Sequence, residues 1–179
     1  MANHVWTRTY VHSDKKEVHN KIEEWYGNLD WNNVRGVVDP IFGKDWKYDI
    51  DLIGSKWIVV EDGDMGGDKE TYINFCSAWC APIAFMEEFT SVILAMDENA
   101  TIEFTGDEES DDFLFAGYGS INGFKWDEED GLERPWEEEC EEEGLDYDEC
   151  LDKFYDDVDE IQSHLLAECV KEVDIDKDE

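Results

Sequence analysis

The sequence predicts an α+β fold, and three observations predict it. Short stretches that alternate apolar and polar residues, HVWTRTYVH and ETYINFCSA among them, recur on either side of two amphipathic helical stretches. The order is strand, helix, strand or hairpin, strand, helix, strand, which makes two βαβ-like halves. With 179 residues, 41% hydrophobic content and eight tryptophans, the chain can bury the core of one domain.

Element by element, HVWTRTYVH places Val5, Thr7, Thr9 and Val11 on one face of a first strand and Trp6, Arg8 and Tyr10 on the other. Ser13 is the natural N-cap of a helix over residues 14 to 26, with Val18, Ile22, Trp25 and Tyr26 on one side and Gly27 and Asn28 as its stop. Residues 28–45 read as a loop, since Asp39-Pro40 and Gly43 resist a strand. WKYDIDLI and KWIVV, parted by Gly54-Ser55, read as a hairpin or one kinked strand, and DGDMGGD as a turn. ETYINFCSA is the next strand. Pro82 then opens a helix that runs through residue 96 on the stripe Ile83, Phe85, Met86, Phe89, Ile93, Leu94 and Met96, ended by Asn99.

TIEFTG is a further strand, and FLFAGYG and GFKWD form a hairpin joined at residues 120–123. Residues 127–143 carry too much charge to pack, Trp136 excepted. A helix follows over 146–170, where Leu151, Val158 and Leu165 recur every seven residues beside Phe154, Ile161 and Glu168. The tail 173–179 is expected to fray. The expected architecture is a ferredoxin-like sandwich, an antiparallel sheet with two helices on one face, extended by the hairpin and by the acidic C-terminal helix. Its parts are an α+β domain over 1–126 and an acidic segment over 127–179 docked on the same domain.

Three stretches carry a family resemblance: MANHVWTRTYVH, FCSAWCAPIAFMEEF and FLFAGYGSINGFKW. Over residues 1–126 the chain resembles the YubB-type ferredoxin-like-fold proteins of phages and plasmids. The resemblance implies a mobile-element origin, no defined chemistry, and structural roles for Asn3, Trp79, Pro82, Gly117 and Gly119. It does not extend to the acidic C-terminal third.

WCAP at a strand-to-helix junction raises a redox reading, but the position of a resolving cysteine is held by Ile83. Cys76 and Cys80 share a strand face about 13 Å apart along an extended chain, beyond the roughly 7 Å a disulfide spans. A helix N-terminus lowers a thiol's pKa, which leaves a monothiol protein centred on Cys80 as a lesser alternative. No EF-hand is present: the registers from Asp49 and Asp62 put Val60 and Ile73 where the bidentate glutamate belongs. Histidines 4, 12, 19 and 164 lack the spacing of a zinc site. No phosphate-binding loop, nucleophile elbow or HExxH helix occurs, so the expectation is a protein that is not an enzyme and needs no cofactor.

Charge is the outlying property. The chain holds 49 acidic residues against 14 lysines and arginines, net −35, and residues 101–179 alone hold 31 against 5. Such a chain repels nucleic acid and anionic membranes. Its partners would be cationic proteins, in particular those that themselves bind nucleic acid. The candidate partner-binding residues are Asp107, Glu108, Glu109, Asp111 and Asp112 in GDEESDD; Asp127, Glu128, Glu129 and Asp130 in DEED; Glu137, Glu138, Glu139, Glu141, Glu142 and Glu143 in EEECEEE; and Asp152, Asp156, Asp157, Asp159 and Glu160 on the last helix. Trp136, Tyr147 and Tyr155 are candidate aromatic anchors. The alternatives are solubility, a saline habitat or divalent-ion buffering, with the seam of the last helix packed on the sheet or joining a homodimer. No secretory h-region and no stretch of the roughly 18 to 20 apolar residues needed to span a bilayer is visible, and five unframed cysteines suit a reducing cytoplasm.

Overall fold

The computed structural model describes residues 3–27, 35–43, 54–64, 69–110 and 113–175; of residues 35–38, 62–64, 139, 141, 143 and 175 it describes the backbone alone. The expected strand WKYDIDLI and the candidates Asp111 and Asp112 lie outside the described residues.

Among the described residues, six strands form one antiparallel sheet of order β2-β3-β1-β4-β5-β6. They are β1 (His4–His12), β2 (Ile58–Asp64), β3 (Glu70–Ala78), β4 (Thr101–Glu108), β5 (Phe113–Ser120) and β6 (Gly123–Asp130). The helices are α1 (Lys16–Gly27), α2 (Arg35–Phe42), α3 (Ile83–Met96), α4 (Glu137–Glu143) and α5 (Tyr147–Val170), the last followed by a π-helical turn (Lys171–Ile175).

Alternation decides which strand residues meet the main core. Val5 and Val11 of β1, Ile73 and Phe75 of β3, and Ile102 and Phe104 of β4 project to one face. There they meet Val18, Ile22 and Trp25 of α1 and Phe85, Phe89 and Ile93 of α3. α5 covers the opposite face, over β5 and its neighbours. Phe154 and Val158 pack on Leu114, and Cys169 and Val173 on Tyr118. β5 therefore lies between two helical layers and is buried from Leu114 to Ser120. The seam of α5 is thus occupied within the chain.

Several expectations are corrected. α2 lies in the stretch read as a loop and contains Pro40; Ile41 is buried and Phe42 meets Phe85 edge-on at 5.3 Å, so core contact overrides proline's poor helix propensity. β2 continues through residues read as a turn, with an irregular register between Val60 and Gly63. The glycines of FAGYGSING, which the sequence assigns to a bulge or turn, include Gly117 and Gly119, and these two sit in regular pairing. A methyl at Gly117 would collide with the Phe104 ring, and one at Gly119 with Thr90 of α3. β6 runs on through Asp130, so the division at 126/127 falls inside a strand. Nor does the chain fray at 173–174: Val173 is buried, and the Asp174 carboxylate accepts from Tyr118 Oη, Ser120 Oγ (2.7 Å) and Asn122 Nδ2 (2.9 Å).

Candidate interaction surface

α5 is built from two opposed stripes. Phe154, Val158, Gln162, Leu165 and Cys169 recur at intervals of three and four and are buried. On the far side Asp148, Asp152, Asp156 and Glu160 follow one another at i, i+4, with Glu149 and Asp159 beside them, and all six are exposed. Asp146 caps the helix by accepting from the amides of Asp148 (3.0 Å) and Glu149 (3.3 Å). Among the described residues no ion pair involves any carboxylate of this ridge. From Asp148 to Glu160 it extends about 18 Å at 1.5 Å per residue. Each i, i+4 repulsion costs roughly 0.3 kcal/mol, whereas burying Phe154, Val158 and Leu165 contributes about 2 kcal/mol apiece. The seam holds the ridge in place.

Asp157 turns from the ridge toward β6. With Glu129, Leu132, Glu160, Ile161 and His164 it lines a cleft of about 420 Å³ between α5 and the sheet edge. Asp127, Glu128, Glu129 and Asp130 are all exposed on β6, the edge strand. In α4, Glu137, Glu138 and Glu142 are exposed while Cys140 is buried and anchors the turn; the side chains of Glu139, Glu141 and Glu143 lie outside the described residues.

Asp107 and Glu108 of GDEESDD do not form part of this display. Asp107 accepts from Arg8 Nη2 at 2.7 Å, and the same guanidinium nitrogen donates to Gln162 Oε1 at 3.0 Å. Gln162 Nε2 in turn donates to the Gly106 carbonyl at 2.9 Å, so Asp107 belongs to the joint between β1, β4 and α5. Desolvation there raises its pKa, against the opposing pull of Arg8. Glu108 is 2% exposed and accepts from the Ser110 amide at 2.7 Å. A partner cannot read a carboxylate so placed. Glu109 accepts through Oε2 from both the His4 amide and His4 Nδ1, at 3.1 Å each, and these bonds hold its pKa below the usual carboxylate value.

Two of the three aromatic anchors come together. Trp136, 67% exposed, and Tyr147 line a pocket of about 500 Å³ with Glu109, Ser110, Arg134 and Pro135. Tyr155 stands apart and accepts from Arg134 Nη2 at 2.9 Å. The sequence reading passed over Asp148, Glu149, Glu109's pocket and Arg134. The two helix residues were recoverable, since they precede Asp152 by four and three positions. The pocket was not, because it joins a β4–β5 turn to the start of α5 across 38 residues of chain.

Glu109 also links that pocket to aromatic surface on β1 and just ahead of β2. The His4 ring lies 6.1 Å from Trp6 and 5.6 Å from Trp57. Trp79, whose amide donates to the Asn3 carbonyl at 3.0 Å, is 53% exposed at φ 70°, a left-handed conformation rare for a bulky residue, with Lys56 Nζ 4.6 Å from its ring centre. Next to it, Cys80 donates through Sγ to the Gly54 carbonyl at 2.7 Å, and burial pushes its thiol up. Burial pushes Cys76 up to about 12. Both shifts run opposite to what a nucleophilic thiolate requires.

Among the described residues no group of three or more histidines, cysteines or carboxylates is placed to hold a metal ion, and no helix is long and apolar enough to cross a membrane. Compared with known proteins, the chain matches no family model, no curated sequence and no solved structure.

Proposed function

We propose that the protein is a non-enzymatic, phage-type accessory protein. It presents a DNA-like acidic surface to a cationic host protein that binds nucleic acid, such as a nuclease, restriction factor, nucleoid protein or polymerase, and it inhibits or modulates that protein in the host cytoplasm. The observation that carries the reading is the ridge of α5: six exposed carboxylates without ion-pair partners among the described residues, on a helix whose other stripe is packed on β5. Neighbouring carboxylates on such a ridge stand about 5–6 Å apart, comparable to phosphates along one strand. A charge array fixed to a sheet is already ordered before a partner arrives, so binding saves the ordering cost that a flexible acidic tail would incur. The exposed Trp136 beside it suits the aromatic centre of a protein interface with a charged rim.

We further infer that β1 to β4, with α1 and α3, form a ferredoxin-like unit. The order strand, helices, two strands, helix, strand and the sheet order β2-β3-β1-β4 support this. The phage origin rests on the resemblance of residues 1–126 to YubB-type proteins.

Capture from a bacterial lysate on the immobilised chain tests the function. DNA-binding proteins are expected to be retained at low salt and released by short duplex DNA or by about 0.5 M salt. The triple substitution Asp152→Asn, Asp156→Asn, Glu160→Gln is expected to lose most of that retention. Retention of no such protein, or retention indifferent to salt and to the substitution, would contradict the reading.

A further inference from the structure

We propose that the pocket between Glu109, Trp136 and Tyr147 receives an arginine side chain. The inference rests on the reading that the partner is cationic, and it names the residue type that the partner inserts.

Among the described residues the pocket has two aromatic ones in its lining, from different elements, Trp136 ahead of α4 and Tyr147 at the start of α5. A planar guanidinium stacks on such rings, and arginine does so better than lysine, whose compact ammonium keeps its hydration. Glu109, half-exposed in the lining, supplies a carboxylate with one oxygen held by His4. Both contacts from His4 fall on Oε2 of Glu109, and they favour its ionised form, so Oε1 is directed away from His4 as a charged acceptor. A guanidinium can meet ring faces and carboxylate together because its donors lie in its own plane.

Among the described residues Arg134 is the single basic one in the lining, and its guanidinium is engaged elsewhere. It donates to Tyr155 Oη at 2.9 Å and lies 5.8 Å from that ring's centre. The exposed Glu133, Glu137 and Glu138 adjoin the lining residues in the chain, and the surrounding third of the molecule is strongly acidic, so the local field favours a cation over an anion. The volume of about 500 Å³ leaves room for a side chain to enter end-on.

The test follows the indole N–H resonance of Trp136, assigned with Trp136→Phe, while Nα-acetyl-arginine amide is added to the full chain. At physiological ionic strength, where charges are screened beyond about 8 Å, a saturable shift is expected. Glu109→Gln is expected to weaken the affinity about fivefold, and Nα-acetyl-lysine amide to bind about fivefold less tightly than the arginine probe. Glu17→Gln, which removes the same charge from α1 across the sheet, is expected to leave the affinity unchanged. Absence of a saturable shift, equal affinity in Glu109→Gln, or an equivalent response to inorganic phosphate would overturn the proposal. The two failures are separable. Lysate capture that persists without the arginine response removes the pocket alone, whereas loss of capture with the response intact removes the partner reading.

Discussion

His12 shows how single residues settle this sheet. It lies on β1 between two strands that each bring a carboxylate, with Nδ1 3.2 Å from Glu70 and Nε2 3.7 Å from Glu103. The Glu103 carboxylate is the largest influence raising its pKa; burial opposes it and Glu70 adds to it. A histidine pKa raised in the folded state stabilises the fold most below the unfolded value of about 6.5 and loses that contribution as pH rises through the folded value. His12→Gln should therefore cost more stability near pH 6 than near pH 9, as urea unfolding at the two pH values would measure; an equal cost at both would refute the assignment. Such pairs were not legible in the sequence, because they depend on the register of β1 against β3 and β4. Glu108 was partly legible. It continues the buried series Ile102, Phe104, Gly106 along β4, but the run of acidic neighbours in GDEESDD masks that alternation. The glycines of β5 stood out in FAGYG, yet their reason, the approach of Phe104 and Thr90, needs the packed structure.

At the scale of elements, α5 contains the main energetic opposition. Its ridge stacks like charges at i, i+4 while its seam is buried. Neutralising Asp152, Asp156 and Glu160 together should raise stability by roughly 0.5–1 kcal/mol at low ionic strength and by almost nothing near 1 M salt. Thermal unfolding of the triple variant against the wild type measures this, and a loss of stability at low salt would mean that the ridge has internal partners. The helix was legible to within a residue, since the apolar spacing and the capping aspartate both mark it. Its buried stripe was not read in full. A seven-residue spacing drifts about 20° per repeat on a straight helix, so the contact line passes from Phe154 and Val158 to Gln162 and Cys169 instead of keeping to Ile161 and Glu168. Gln162 looks misplaced among apolar residues until Arg8 and the Gly106 carbonyl are seen beside it. α2 was missed for the opposite reason: Pro40 signalled a break that Ile41 and Phe42 override by reaching the core.

At the scale of the molecule, the described residues form one sheet with unequal cover on its two faces. α1 and α3 share one core, while α5 shields β4 to β6 on the other face and leaves Trp6, Tyr10 and Tyr72 of β1 and β3 part-exposed. The acidic third is not an appendage, because β6, α5 and the π-helical turn supply a strand, a layer and a set of anchors. The charge count made its acidity plain, but composition cannot distinguish a ridge fixed to a sheet from a solvated tail. Amide hydrogen exchange on the full chain in isolation makes that distinction. The account predicts that the amides between Leu151 and Cys169 exchange as slowly as those of β5, with which they pack. Exchange across that span at the rate of an unstructured chain, while β1 and β3 stay protected, would contradict it.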